Sequence, residues 1–486
     1  MTESNLITLN NYIEGKFQNS KCNHWIDNYS PATGDLIARI PCSSTEDIDD
    51  AVTAATNAFN GWSSLSIEER ADWLIRIADG LESRKEEIAQ LESLDTGKPI
   101  SLARGVDAAR SIANFRFFAN HILDHEQQIF EMSDATNRVL YKPVGIAGLI
   151  TPWNLPLYLL SWKVAPALLM GNTVVAKPSE LTPLTANLLA EVMDEIGVPP
   201  GVFNIVHGNG IDAGAPLTSH PKVNLISFTG GTATGREVAK AASSGFKKLS
   251  LELGGKNATI IRHDADIISK MPEIVRASFM NQGQVCLCGS RILIHETIYD
   301  EFVESFVNTV TNMSVGDPSD EATDLGALIS AAHRDKILSY IQIAKEEGGV
   351  ILCGGGMPLN HPTQFKDGFW IAPTVIDGLK PDSICAMEEI FGPVVTLHPF
   401  SNDDEAVEIA NMTDYGLAGS IWTADSDAGS ELAERIDSGM VWVNCWLHRD
   451  LRVPFGGVKN SGVGREGGDW SIGFFSEAVN ICVKHN

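Results

Sequence analysis

The sequence predicts an α/β chain built from two successive units with parallel sheets. Three observations carry that prediction. Between Val144 and Leu251, apolar strand-like runs alternate with helical stretches at the pitch of βα units. After Gly255 a second series of the same kind begins. Residues 121–143, just before the first series, turn polar and strand-like and set a smaller β segment apart.

The elements follow in order. Residues 7–40 alternate polar and apolar with turn signals such as Asn28-Tyr29-Ser30-Pro31, which predicts short strands and hairpins. From Asp47 the pattern becomes helical. Ser66-Ile67-Glu68-Glu69 is a capping-box signature, and Trp73, Leu74, Ile77 and Leu81 then recur on one face. Helical character resumes after Thr96-Gly97-Lys98-Pro99 and runs to Ala119. In the first series, strands are expected at 144–150, 173–176, 202–206, 225–228 and 248–251, with helices between them. A ligand then belongs at the carboxyl ends of those strands. In the second, a strand at 258–261 leads to a helix over 274–281, then Gly283-Gln284-Val285-Cys286, then a strand at 290–294. Helices near 298–310 and 331–347, strands near 349–352 and 373–376, and a βα unit at 394–411 complete it.

Composition narrows the function. A chain of 486 residues suits two or three domains. The net charge of −26 repels a phosphate backbone, so no nucleic-acid partner is expected. The eight cysteines are scattered, and Cys286-x-Cys288 lacks metal or redox spacing, so no metal is expected. Met1-Thr2-Glu3-Ser4-Asn5 has no basic region or apolar core, and no apolar run is long enough to span a bilayer. A reduced, cytoplasmic protein without a membrane partner is the expectation.

Five stretches carry chemistry beside Cys286. In Thr151-Pro152-Trp153-Asn154-Leu155-Pro156, two prolines fix a loop whose Asn154 amide suits an oxyanion, or equally a helix cap. In Ala176-Lys177-Pro178-Ser179-Glu180, a lysine and a glutamate at a strand end suit the two hydroxyls of a ribose. A glutamate there repels a 2′-phosphate and favours NAD over NADP. Phe228-Thr229-Gly230-Gly231 opens a helix whose free N–H groups suit a pyrophosphate, and Gly208-Asn209-Gly210 is a second glycine-rich turn. The G-x-G-x-x-G run at 462–467 follows no expected strand and is set aside. Glu252, between two leucines before Gly254-Gly255, is a candidate base whose pKa burial raises. Glu388-Glu389-Ile390-Phe391 offers a carboxylate and an aromatic ring.

In this order the motifs resemble the aldehyde dehydrogenase superfamily, over nearly the whole chain. Pro-Trp-Asn, Lys-Pro-Ser-Glu, Phe-Thr-Gly, Glu-Leu-Gly-Gly-Lys, Gly-Gln-x-Cys and Glu-Glu-Ile-Phe-Gly-Pro all stand in family order, and Gly231 departs where many members have serine. The resemblance implies a Rossmann-like NAD domain (1–123 and 144–254), an α/β catalytic domain (255–468) and a β oligomerisation arm (124–143 and 469–486). It implies Cys286 as nucleophile, Asn154 with the Cys286 N–H as oxyanion hole, and Glu252 as the base that hydrolyses a thioester. Trp153, Lys177, Glu180, Gly210, Gly230, Gly231, Leu253, Glu389 and Phe391 would bind NAD. A homo-oligomer, dimer or tetramer, is implied as well.

Within the superfamily the chain is most similar to 2-aminomuconate and 2-hydroxymuconate 6-semialdehyde dehydrogenases. The supporting stretches are Asn114–Ala119, Ser161-Trp162-Lys163, Cys445–Arg452 and Gly464–Gly468. Arg449 stands where members taking apolar aldehydes carry an aromatic residue, and Arg104 and Arg110 lie on the helix at the tunnel mouth. Guanidinium groups there suit a substrate carboxylate, unless they pair with Asp107 or Asp450. Leu155, Tyr158, Trp162 and Phe455 would form a flat apolar wall. A betaine-type enzyme would instead need carboxylates around an aromatic cage. A CoA-acylating enzyme would not need Glu252, and an idle NAD-binding structural protein would not need all three chemical residues.

Overall fold

The computed structural model describes residues 6–124, 128–358 and 363–485. Its first large sheet has eight strands, in the order Gly462–Val463, Lys248–Glu252, Val223–Thr229, Ile146–Ile150, Thr173–Lys177, Phe203–Ile205, Asn11–Ile13 and Lys16–Gln18. The strands from Lys248–Glu252 to Phe203–Ile205 run parallel. The outer ones are antiparallel. Helices cover both faces: Val174 and Ala176 enter one core while Val175 enters the other. That is why the strands read as unbroken apolar runs.

Register decides where the chemistry goes. Ile150 pairs with Lys177, Phe228 with Ile150, and Thr229 with Glu252. The carboxyl ends therefore line up, and the loops starting at Thr151, Pro178, Gly230 and Leu253 leave the same edge.

The second sheet has seven strands: Val350–Cys353, Thr374–Asp377, Val394–Phe400, Gly289–His295, Asn257–Ile261, Ala418–Trp422 and Met440–Val443. All but the first are parallel to their neighbours. Asn257 pairs with Gly289 at the amino edge. So Cys286 enters the amino edge of this sheet, and only Leu253–Lys256 separates that edge from Glu252 on the first.

A third, antiparallel sheet joins Ile129–Glu131, Ala135–Pro143 and Ser476–Lys484. Residues 125–127 and 486 of the expected arm lie outside the described residues. The preceding helix continues to His121, and a 3-10 turn, Ile122–Asp124, precedes the strands. Before the arm strand, Ile472 and Phe475 pack into the first core. The chain also returns at Gly462–Val463 to pair with Leu251 and Glu252. The 462–467 glycine run thus begins as a short antiparallel edge strand, which the sequence did not predict, and does not open a helix after a parallel strand.

One element departs from expectation. The helix before the thiol begins at Ile267, capped by Asp266, and ends at Phe279. Pro272 inside it hides the early start. Among the described residues, no helix is long and apolar enough to cross a membrane.

Candidate active site

Beyond Phe279 the chain makes an unusual turn. Asn281, Gln282 and Gly283 take φ values of 54°, 57° and 69° in succession. Left-handed backbone at two non-glycine residues costs about 1–3 kcal/mol each and needs surroundings that enforce it. Gln282 Nε2 donates to Ala327 O at 3.1 Å. Asn281 Nδ2 donates to Asn154 O at 3.1 Å and to Gln284 O at 3.3 Å. A side chain at Gly283 would place its Cβ 2.1 Å from Gly392 O. Asn257 Nδ2 then holds the carbonyls of Cys286 and Cys288 at 2.7 and 2.9 Å. Cys286 lines a cavity beside this turn, whereas the Cys288 thiol is buried against Met280 O at 3.7 Å.

That cavity, about 300 Å³, gathers side chains from distant parts of the sequence. Asn154 is buried, and its amide donates one bond, to Gln284 O at 2.9 Å. Its second amide hydrogen and the Cys286 N–H have no acceptor among the described residues. Burial pushes the Cys286 thiol well above its ordinary range, and the carboxylates of Glu389 and Glu252 add to the effect.

Glu252 stands at the end of its strand with both oxygens buried and unbonded. Burial raises its pKa well above the usual carboxylate range, and Glu466 raises it further. Behind it, Lys163 Nζ donates to Glu466 Oε1 at 2.6 Å and to Ser227 Oγ at 2.8 Å, all within the core. Glu389 Oε1 accepts from Gly255 N at 2.8 Å. The carboxylate lies so close to Gly254 that a Cβ there would meet Oε2 at 2.1 Å. Trp153 meets Phe391 edge to face at 5.4 Å. His333 Nε2 donates to Phe391 O at 2.7 Å. Burial pushes His333 down to about 4, so it is neutral at pH 7.

The far wall is aromatic around one cation. The Arg449 guanidinium carbon lies 4.7 Å from the Trp162 ring centre and 4.2 Å from that of Phe455. Its Nε and Nη2 are buried without a hydrogen-bond partner. Cation–π contacts offset part of that cost, but a half-buried guanidinium with two unpaired nitrogens still favours an anion beside it. Asp450 does not answer it, because it is held by Arg452 Nε at 3.0 Å.

A thiol facing free oxyanion donors, a buried carboxylate and a ring-lined slot can add to a carbonyl and release the product to water. Relatives bear on which carbonyl chemistry this is. The profile of the aldehyde dehydrogenase family matches residues 17–481. The chain belongs to the aldehyde dehydrogenase family. It is 49% identical to the 2-aminomuconic semialdehyde dehydrogenase of Bos taurus, over 99% of both chains. It is 46% identical to the 2-hydroxymuconic semialdehyde dehydrogenase of Pseudomonas sp. (strain CF600), over 98% of this chain and 99% of the other. It superposes on the NAD+ complex of a Bacillus cereus aldehyde dehydrogenase with a TM-score of 0.95 at 35% identity, covering 99% of this chain and 97% of the other. This is the aldehyde dehydrogenase fold.

Most of the expected dehydrogenase site lines the one cavity. Cys286, Asn154, Glu252, Trp153, Gly230, Gly231, Leu253, Glu389, Phe391, Leu155, Tyr158, Trp162, Arg449 and Phe455 all do. Lys177, Glu180 and Gly210 stand further along the same sheet edge. Lys177 Nζ donates to Glu180 Oε2 at 2.9 Å, and Gly210 starts a turn capped by Asn209 Oδ1. These residues fit a dinucleotide. The helix Thr232–Ser243 begins at Gly231 without a side-chain cap, which leaves its first N–H groups for a pyrophosphate. Space around Gly231 is open, so the missing serine costs the turn nothing in packing.

Two arginines need correction. Arg104 does not line the cavity. Its Nε and Nη2 grip Glu86 at 2.8 and 2.9 Å, and Nη1 reaches Glu321 at 2.6 Å. The residue of that turn facing the cavity is Val106, two positions on and so on another face. Arg110 is one step removed, 5.4 Å from the Tyr158 ring centre. Asp107, considered as a surface partner for it, is instead fully buried on Lys98. Sequence reasoning gave no role to Lys163, Glu466, His333 or Asn281. A lysine inside the apolar helix Pro156–Leu169 was the one available signal.

Proposed function

We propose that the chain oxidises a carboxylate-bearing semialdehyde, of the 2-aminomuconate or 2-hydroxymuconate 6-semialdehyde type, to the acid with NAD. The observation that carries the substrate reading is Arg449: half-buried against the Trp162 and Phe455 rings, with Nε and Nη2 buried and without a hydrogen-bond partner. A flat conjugated chain would lie along this apolar wall, and its carboxylate would meet the guanidinium from the cavity side. Arg110, behind Tyr158, adds positive potential to the same end.

The chemistry follows from the chain's own groups. Cys286 releases its proton to water, and the Sγ thiolate adds to the aldehyde carbon to give a thiohemiacetal oxyanion. Asn154 Nδ2 and the Cys286 N–H hold its oxyanion, each donor worth about 3 kcal/mol in the transition state. NAD, when bound in the slot shaped by Trp153, Leu253 and Phe391, would supply the acceptor for the hydride on that carbon. The resulting thioester stays on Cys286 until Glu252 removes a proton from water. The hydroxide adds to the acyl carbon and the thiolate leaves. Lys177 and Glu180 hold the adenine-side ribose, Gly210, Gly230 and Gly231 the phosphates, and Glu389 the nicotinamide ribose. Trp153, Leu253 and Phe391 shape the ring slot. Residues 1–123 and 144–254 would form the cofactor domain, 255–468 the catalytic domain, and the arm would join subunits. All eight cysteines are free, which fits a reducing cytoplasm.

The reading is tested by following NAD reduction with a panel of semialdehydes. Carboxylated members should turn over, and Cys286→Ser should stop them. An enzyme that reduces NAD with none of them overturns the proposal.

A further inference from the structure

Directly behind the cavity wall lies a cluster of charge that the chemistry above does not use. Glu92, Lys98 and Asp107 are each fully buried. Lys98 Nζ lies 2.9 Å from Asp107 Oδ1 and 3.9 Å from Glu92 Oε2. Its third contact is the main-chain oxygen of Asn154, at 3.0 Å. Glu92 Oε1 accepts from Leu157 N at 3.0 Å and from Thr185 Oγ1 at 2.8 Å. The cluster therefore grips the 154–157 loop at two points, one of them the residue whose side chain faces Cys286.

The partners are not packing filler. A lone ammonium between two carboxylates leaves one oxygen of each acid, Glu92 Oε2 and Asp107 Oδ2, without a hydrogen bond. Apolar residues would stabilise this interior at least as well. What the ions supply is direction. Asp107 belongs to the π-helical turn Ala103–Ala108, whose Val106 lines the cavity. Lys98 thus ties that turn to the backbone of Asn154, while Asn281 ties the same backbone oxygen to the thiol loop at 3.1 Å. The Asn154 carbonyl is where the substrate wall and the nucleophile loop meet.

We propose that Lys98, anchored by Asp107, is a positioning residue that aims the Asn154 amide at the developing oxyanion. The inference rests on the role given to Asn154 above. It differs from a general stabilising role in a testable way, because its effect must pass through Asn154.

The test is a double-mutant cycle with Lys98→Met and Asn154→Ala. It is read by NAD-dependent aldehyde oxidation and, separately, by hydrolysis of 4-nitrophenyl acetate, which needs the thiol and the oxyanion donors but no NAD. Lys98→Met should lower kcat in both assays by about thirtyfold, with KM for NAD little changed. In the Asn154→Ala background the same change should cost less than about threefold. Lys98→Met leaves two acids unpaired, so Lys98→Met/Asp107→Leu is made in parallel, removing the pair together while still withdrawing the donor from Asn154. Equal losses in both backgrounds, or no loss in the soluble double variant, overturn the proposal. Loss of aldehyde oxidation in wild type with ester hydrolysis intact would instead indict the NAD reading, and the cycle is still read on the ester.

Discussion

Burial works against the charged forms of Glu252 and Cys286 that the assigned chemistry uses. It raises both pKa values, and each negative neighbour raises them further. A base acts only when deprotonated, and a thiol attacks only as thiolate. Activity should therefore increase as pH rises from neutral into the alkaline range, measured as kcat/KM across pH 6 to about 10. Replacing Glu389, which faces the thiol, by Gln removes one of the negative neighbours and should move the acid limb to lower pH. Glu252→Gln should spare the first hydride transfer and block hydrolysis. A stopped-flow burst of NADH near one equivalent, followed by a steady rate about 100-fold below wild type, is the expected trace. A lost burst would assign Glu252 to thiol activation instead. At this scale the sequence was informative where a polar residue broke an apolar run, as with Glu252 between leucines. It misled for Arg104, because a helix places neighbours on opposite faces and charge alone does not say which face is inside. Nothing local marked His333 or Asn281, which act on Phe391 and Asn154 far along the chain.

Elements matter here chiefly through their ends. The carboxyl edge of the first sheet and the amino edge of the second meet across Leu253–Lys256, and Glu389 closes the gap by accepting from Gly255. The close approach is possible because Gly254 has no side chain. Gly254→Ala would drive a methyl into the Glu389 carboxylate. The expected result is a KM for NAD raised about tenfold or more, with a modest loss in Tm, measured by initial rates and thermal unfolding. An unchanged KM would mean that Glu389 does not touch the cofactor. Strand and helix types across both sheets were legible because buried parallel strands are continuously apolar and their helices amphipathic. The turn at Asn281–Gly283 was not. Left-handed backbone at Asn and Gln is imposed by Ala327, Asn154 and Gly392, and no local propensity announces it.

On the scale of the molecule, the cavity is a junction. Trp162 comes from a helix over the first sheet, Cys286 from the second, and Arg449 and Phe455 from the segment that returns to pair beside Glu252. The β arm stands outside this junction with Ile129, Phe130 and Met132 exposed at 55%, 57% and 56% on or beside an edge strand. Such an edge is sticky unless covered. If it forms the subunit contact, Ile129→Asp/Phe130→Asp should shift sedimentation towards monomer while the fold persists by circular dichroism. The two-sheet architecture was readable because βα alternation allows few topologies. The return of Gly462–Val463 to the first sheet was not, since a two-residue strand leaves no periodicity. The carboxylate clamp at Arg449 decides the substrate. Its most direct test compares kcat/KM for a carboxylated semialdehyde and for its uncharged amide in wild type and Arg449→Ala. The expected result is a loss on the order of 100-fold for the carboxylate and little change for the amide. Equal losses for the two substrates, or none, would contradict the carboxylate clamp and the substrate assignment built on it.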